Sequence, residues 1–106
     1  YISPVETLKE WNEAVRSGDI RRVASLYSHN SLFWKRWTGA ERGALEREFE
    51  EMRSAGTFQM EVESVTIKGG KATAVVTLRN EGGKVLKGVF RLVLEGDKWR
   101  IMGEEY

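Results

Sequence analysis

The stretch VLKGVFRLVLEGDKWRIMGEE, residues 85–105, decides the architecture. Phe90, Leu92 and Leu94 alternate with Arg91, Val93 and Glu95, the period of two that marks a strand with one buried face. Gly96-Asp97 then supplies a short-hairpin turn, and Trp99 and Ile101 resume the alternation on the return strand. A two-residue turn there sets Leu94 opposite Trp99, Leu92 opposite Ile101, Phe90 opposite Gly103 and Gly88 opposite Glu105. Working back toward the N-terminus, Gly82-Gly83 and Gly69-Gly70 are further hairpin signals. They divide the second half of the chain into four strands, near residues 57–67, 72–80, 85–95 and 98–105. The result is a curved antiparallel meander.

The pairing also assigns faces. Trp99 and Ile101 meet the core, so Phe90, Leu92 and Leu94 join them. The same register carries Thr73, Val75, Thr77 and Arg79 inward, followed by Phe58, Met60 and Val62. Among these positions Thr73, Thr77, Arg79 and Glu105 are polar, and Arg79 and Glu105 either pair with each other or orient a ligand. The opposite face would hold Val65, Ile67, Ala72, Ala74, Val76, Leu78, Val89, Val93 and Met102. A sheet apolar on both faces predicts burial of the outer one, against a second copy of the chain or a neighbouring domain. A β-bulge would instead turn part of that set inward.

The first half of the chain reads as helices. Ser3-Pro4-Val5-Glu6 is a capping box with proline at the first helical position. Val5, Leu8, Trp11 and Val15 follow at helical spacing, and Gly18 ends the run. Asp19 caps a second helix carrying Ile20, Val23, Ala24 and Tyr27. Residues 28–31 read as a loop. Thr38-Gly39-Ala40-Glu41 is expected to start a third helix, with Leu45, Phe49 and Met52 on its stripe and Gly56 as its stop. Three helices followed by four hairpin-linked strands make an α+β domain with the helices on one face of the sheet.

Composition narrows the chemistry. The chain has 106 residues, the size of one domain, and opens on Tyr1 with structure beginning almost at once, as a domain excised from a longer protein would. Lys and Arg total 17 against 16 Asp and Glu, a net charge of +1 that lacks the basic excess of a nucleic-acid binder. There is no cysteine, which removes disulfides, thiolate nucleophiles and iron–sulfur clusters, and the single histidine removes a multi-histidine metal site. No cofactor is expected. No apolar run approaches the roughly 20 residues that cross a membrane.

A resemblance now emerges. Trp11, Ala14, Gly18, Asp19, Leu26 and Tyr27 stand as W-x-x-A-x-x-x-G-D-x-x-x-x-x-x-L-Y, and residues 95–101 form the hairpin E-G-D-K-W-R-I. Together with the order of helices and strands, these features resemble the nuclear transport factor 2-like superfamily. They resemble in particular the small domains appended to bacterial L,D-transpeptidase-related envelope proteins. The resemblance implies a cone in which three helices pack on the concave face of the sheet, and a periplasmic or cell-envelope setting. The superfamily includes ketosteroid isomerase, scytalone dehydratase and polyketide cyclases as well as non-catalytic binding and dimerisation modules, so the fold leaves function open.

The individual residues favour binding over catalysis. Asp19 stands where a cap is needed. His29 has no carboxylate within four residues to orient it as a base. Tyr27 ends an amphipathic helix and reads as a half-buried core residue with a polar tip, or as a ligand-facing hydroxyl. Glu46, Glu48, Glu50 and Glu51 alternate with Arg47 and Arg53 as a solvated helix face. Trp34-Lys35-Arg36-Trp37 is the least ordinary segment: either a plug for the wide end of the cone, or a mouth where indole faces and Arg36 receive an anionic or saccharide ligand. Only Glu105 is an inward carboxylate in this register. The expectation is a non-catalytic module that binds a small molecule or saccharide through Tyr27, Trp34, Arg36, Trp37, Thr77, Arg79 and Glu105. The alternative is a cofactor-free lyase or isomerase using Tyr27, His29 or Glu105.

Overall fold

The structure, a computed structural model, describes residues 3–54, 56 and 58–106. Four helices precede the sheet: α1 (Pro4–Ser17), α2 (Ile20–Ser25), α3 (Leu32–Thr38) and α4 (Arg42–Ser54). Four strands follow: β1 (Phe58–Lys68), β2 (Lys71–Asn80), β3 (Val85–Glu95) and β4 (Lys98–Glu105). They form one curved antiparallel sheet in sequential order. Thr57, the expected first residue of β1, lies outside the described residues.

The caps at the start of the chain act as their residue types dictate. Ser3 accepts the Glu6 N–H at 3.2 Å, and Gly18 closes α1 in the left-handed region at φ 77°. Asp19 accepts the Arg22 N–H at 3.1 Å and starts α2. The helical half departs from expectation after Tyr27. Residues 28–31 are the expected loop, but Ser31 at its end accepts the Trp34 N–H at 3.2 Å and caps α3, so residues 34–37 belong to a helix of their own. Thr38 therefore ends a helix, and α4 begins only at Arg42.

The hairpin between β3 and β4 pairs Leu94 with Trp99 and Leu92 with Ile101, as its turn predicts. Beyond that point a bulge intervenes: Met102 has no partner, Arg91 pairs with Gly103, and Phe90 pairs with Glu104. An extra residue in one strand reverses the parity of everything after it. Glu104 consequently takes the core side and Glu105 the outer side, the reverse of the regular pairing.

A second correction lies at the turn between β2 and β3. Asn80 closes a loop of five residues by accepting the Lys84 N–H on its side chain at 2.8 Å and donating its own N–H to the Lys84 carbonyl at 3.0 Å. Arg79 then pairs with Val85 and Ala74 with Phe90. This register differs by one residue from a two-residue Gly82-Gly83 turn, and one residue is enough to exchange the faces of a strand. Ala72, Ala74, Val76 and Leu78 are buried in the core. Thr73, Val75, Thr77 and Arg79 stand on the outer face instead. A bulge at Glu63 in β1 likewise brings Val65 in against the core, while Met60 and Val62 pack there as expected. The apolar outer strip on which association through the sheet rested is thus largely the floor of the core; Val89 and Val93 remain on the outer side, joined there by Val75.

That core joins Leu8, Trp11 and Ala14 of α1 and Val23 of α2 to Phe90, Leu92, Trp99 and Ile101. Leu8, Phe90, Leu92 and Ile101 are at most 2% exposed, each burial contributing about 1.5–3 kcal/mol. A smaller cluster of Ala24, Trp37 and Leu45 joins α2, α3 and α4. No described helix is long and apolar enough to cross a membrane.

Candidate functional site

The segment after α2 is fastened to the sheet before its side chains are considered. The Ile101 N–H donates to the Leu26 carbonyl at 2.9 Å, and the Ser28 N–H donates to the Ile101 carbonyl at 2.8 Å. Tyr27, between them, is held by backbone bonds beside β4 as an isolated parallel bridge. Its ring stacks on Phe33 of α3, with centroids 4.1 Å apart and planes 9° from parallel. The bulge at Met102 completes the arrangement by turning Glu104 to the same side. The Tyr27 hydroxyl donates to the Glu104 carboxylate, 2.9 Å from each oxygen.

This pair stands in a cavity of about 230 Å³ at the open end of the cone. Its walls are mostly apolar, from Trp11, Val23, Phe33, Leu45, Phe49 and Met52. A second hollow of about 240 Å³ shares Tyr27, Phe33, Leu45 and Glu104 and continues toward Arg91 and Gly103. Arg36 borders both, and its guanidinium is tied to Glu48 of α4 and lies 3.8 Å from Glu41. Tyr106 closes one side, its ring edge-on to Phe90 at 6.3 Å. That ring occupies the space a side chain at residue 88 would take: a Cβ on Gly88 would come within 2.8 Å of it.

The electrostatics of the pair follow from burial. Desolvation raises the Glu104 carboxyl above its ordinary range, against the opposing pull of the Tyr27 hydrogen bond and the Arg91 charge. The Tyr27 phenol is pushed well up, first by burial and then by the Glu104 charge, so it remains a donor at all physiological pH. The Trp11 indole N–H is buried and makes no hydrogen bond. It nonetheless acts on the Tyr27 hydroxyl, drawing that group's pKa down against the larger effects. Trp11, Tyr27 and Glu104 thus line the same cavity, with the indole N–H set against the phenol.

The residues singled out from the sequence are distributed over three places. Tyr27 and Arg36 line the cone. Trp34 and Trp37 lie on the other side of α3, where they border a separate open cleft with His29. Thr77, Arg79 and Glu105 are on the outer face of the sheet. Thr77 donates to Glu63 at 2.6 Å, Arg79 lies 3.8 Å from Glu61, and Glu105 accepts from Arg91 at 2.8 Å. Arg79 and Glu105 therefore do not meet. Asp19 is the cap it was read to be. Among the described residues no cluster of His, Cys, Asp or Glu could hold a metal ion.

Glu104 and the Trp11 indole were not anticipated. The signal for Glu104 was Gly103, because glycine inside a strand marks a bulge or a close approach. Here it marks both: Arg91 crosses over Gly103 to reach Glu105, and a Cβ there would stand 2.9 Å from the guanidinium.

Comparison with known proteins returns the same cone. A nuclear transport factor 2-like protein of unknown function from Shewanella baltica superposes with a TM-score of 0.65 at 17% identity, over 94% of this chain and 86% of that one. A candidate nuclear transport factor 2-like transpeptidase from Campylobacter jejuni gives 0.62 at 16% identity, over 93% and 97% of the two chains. A candidate polyketide cyclase from Sinorhizobium meliloti gives 0.60 at 13% identity, over 94% and 92%. At these identities the likeness is one of fold. No curated protein matches the sequence. Residues 8–102 match the SnoaL-like domain, and the chain belongs to that family, with the nuclear transport factor 2-like fold.

Proposed function

We propose that the cone is a small-molecule site in which Glu104, Tyr27 and the Trp11 N–H converge on one polar group of an otherwise apolar ligand. The observation that carries this reading is the buried carboxyl–phenol pair lining an apolar cavity, with the Trp11 N–H against the phenol but short of a full hydrogen bond. A purely structural pair would be expected to satisfy its neighbours, whereas a binding site leaves donors for its ligand. At about 230 Å³ the cavity is below the roughly 300–1,000 Å³ of drug-sized pockets, so it accepts a compact molecule of one or two rings. A carbonyl oxygen of the ligand would accept from the Trp11 N–H, and the apolar walls would cover the ring.

One feature favours a second, catalytic reading. Glu104 is a carboxyl raised above its ordinary range within hydrogen-bond distance of a phenol, which is the pairing that proton transfer next to a carbonyl requires. In that reading the Glu104 carboxylate takes a proton from the ligand carbon, and the Tyr27 hydroxyl, released from Glu104 as that charge is neutralised, donates to the oxygen on which charge develops. The SnoaL-like family assignment is compatible with either use of the cone. The further reading, an accessory module beside an envelope enzyme that engages cell-wall saccharide, rests on the sequence resemblance alone.

A single experiment addresses binding and turnover together. Small cyclic ketones and aryl ketones would be titrated in D2O and followed by NMR. The site reading expects shifts at the Trp11 indole and Tyr27, with both lost in Glu104→Gln and the Tyr27 shift lost in Trp11→Phe. Catalysis adds deuterium exchange next to the carbonyl, lost in Glu104→Gln, and binding without exchange leaves a binding module. Shifts elsewhere on the chain, with Trp11 and Tyr27 unmoved, would remove the site.

A further inference from the structure

Outside the cone, on the far side of α3, lies an open cleft of about 470 Å³ whose lining contains cations, aromatics and a hydroxyl but no carboxylate. Two carboxylates, Glu46 and Glu95, stand just outside that lining against two of its three arginines, so the cleft keeps a net positive edge. Three helices, one loop and one strand supply the lining. Helix α2 contributes Arg21 and Ser25, the following loop His29, α3 the two indoles, and α4 and β4 one arginine each.

The arginines are held with terminal nitrogens to spare. Arg42 stacks over the Trp37 ring, its guanidinium carbon 3.8 Å from the ring centroid. Its ion pair with Glu46, at 3.5 Å, uses the Nε edge. Arg100 donates one terminal nitrogen to the Ser25 carbonyl, and its Nε lies 3.9 Å from Glu95. The Arg21 side chain makes no ion pair or hydrogen bond among the described residues. His29 lies flat on Trp34, with centroids 4.1 Å apart and planes 14° from parallel, which fixes the imidazole at the rim. The site is therefore preorganised on two guanidiniums and one aromatic stack, with a third guanidinium free to close on what arrives.

We infer that this cleft binds a phosphate monoester carried on a small ring, independently of whatever occupies the cone. A phosphate monoester brings a charge of about −1.5 to −2 and three acceptor oxygens, which several guanidinium forks can share. A monocarboxylate brings one charge and two oxygens, and so engages fewer of the three guanidiniums. The His29–Trp34 stack supplies flat surface for the ring.

The test is a titration of the isotope-labelled chain at low salt with phenyl phosphate, benzoate and inorganic phosphate as separate probes. The expected result is saturable binding of phenyl phosphate, about tenfold tighter than either comparator, with shifts at Arg21, His29, Trp34 and Arg100. Arg21→Glu, an exposed change, should weaken it by about tenfold or more. Arg47→Glu on α4, another exposed arginine without an ion pair among the described residues, makes the same charge change away from the cleft and should leave binding intact. Equal losses in the two variants would reduce the effect to net charge and overturn the inference. Benzoate binding as tightly, shifts confined to Tyr27 and Glu104, or no saturation by roughly 10 mM would overturn it as well.

Discussion

The Tyr27 hydroxyl lies 2.9 Å from both oxygens of Glu104, although 77 residues separate the two in the chain. Two independent devices bring them together. The Leu26 and Ser28 backbone bonds to Ile101 place the phenol, and the extra residue at Met102 turns the carboxyl toward it. The pair is surrounded by apolar side chains, so each group controls the charge state of the other.

Removing the donor leaves the carboxyl without that partner. Tyr27→Phe is expected to lower stability by about 1–3 kcal/mol at neutral pH, the cost of stranding a buried polar group. The loss should shrink in acid, where Glu104 is protonated and needs less compensation. Urea unfolding of both proteins at pH 7.5 and pH 4 measures it, and an equal loss at both values would show that only ring packing had changed.

Replacing the acid acts in the opposite direction. Burial raises the Glu104 pKa in the folded chain above its unfolded value. Between the two values the native state holds a proton that the unfolded state has released, so stability falls as pH rises through that window. Glu104→Gln removes the dependence while keeping an acceptor for Tyr27. The variant should melt a few degrees above the wild type at pH 7.5, and the two should converge below the ordinary glutamate range. Thermal unfolding against pH checks this; a variant less stable at pH 7.5 would mean that the ionised carboxylate is a net stabiliser.

Gly88 and Tyr106 form a matched pair. A methyl group at residue 88 would meet the Tyr106 ring at 2.8 Å and the Glu105 carbonyl at 3.2 Å. Gly88→Ala is expected to displace the ring, open that side of the cavity and cost up to about 1–3 kcal/mol, the range for overpacking. In a Tyr106→Ala background most of that cost should vanish, because the ring is the closer obstacle. A cost unchanged between the two backgrounds would place the strain in the backbone.

The legible and illegible parts of this chain have physical explanations. Gly96-Asp97 is a short turn with no alternative register, so Leu94–Trp99 and Leu92–Ile101 could be read directly. Glu81-Gly82-Gly83 allows more than one turn, and the choice rests with Asn80, whose side chain closes a longer loop. The composition of β2 already favoured that choice. Ala72, Ala74, Val76 and Leu78 make a better core face than Thr73, Val75, Thr77 and Arg79, and the structure buries them. The Met102 bulge has weaker signals, since only Gly103 marks it, and the site residue it re-aims was assigned one place too far along. Helix α3 was hidden because its cap, Ser31, sits in a run of Ser, His and Asn that reads as loop. Trp34 and Trp37, three residues apart, share a face only as part of that helix.

Ser31 also carries a consequence for both candidate sites. It caps α3 and donates to the Ser28 carbonyl at 2.6 Å, so it orients the helix that presents Arg36 to the cone and Trp34 to the outer cleft. Ser31→Ala should cost about 1–2 kcal/mol, within the range for a lost cap and a lost buried bond. Amide exchange should quicken over residues 32–38 while α1 stays protected. Unchanged exchange in α3 would show that packing alone holds it.

The most direct test of the central claim, that the bulge aims a buried and chemically tuned Glu104 into the cone, is the titration of its side-chain carboxyl carbon by NMR, in the wild type and in Tyr27→Phe. The account predicts a pKa above the ordinary glutamate value of 4.5 in the wild type, because desolvation outweighs the Tyr27 hydrogen bond. It predicts a further rise when that bond is removed. A Glu104 that titrates at or below 4.5 and ignores the loss of the Tyr27 hydroxyl would contradict it.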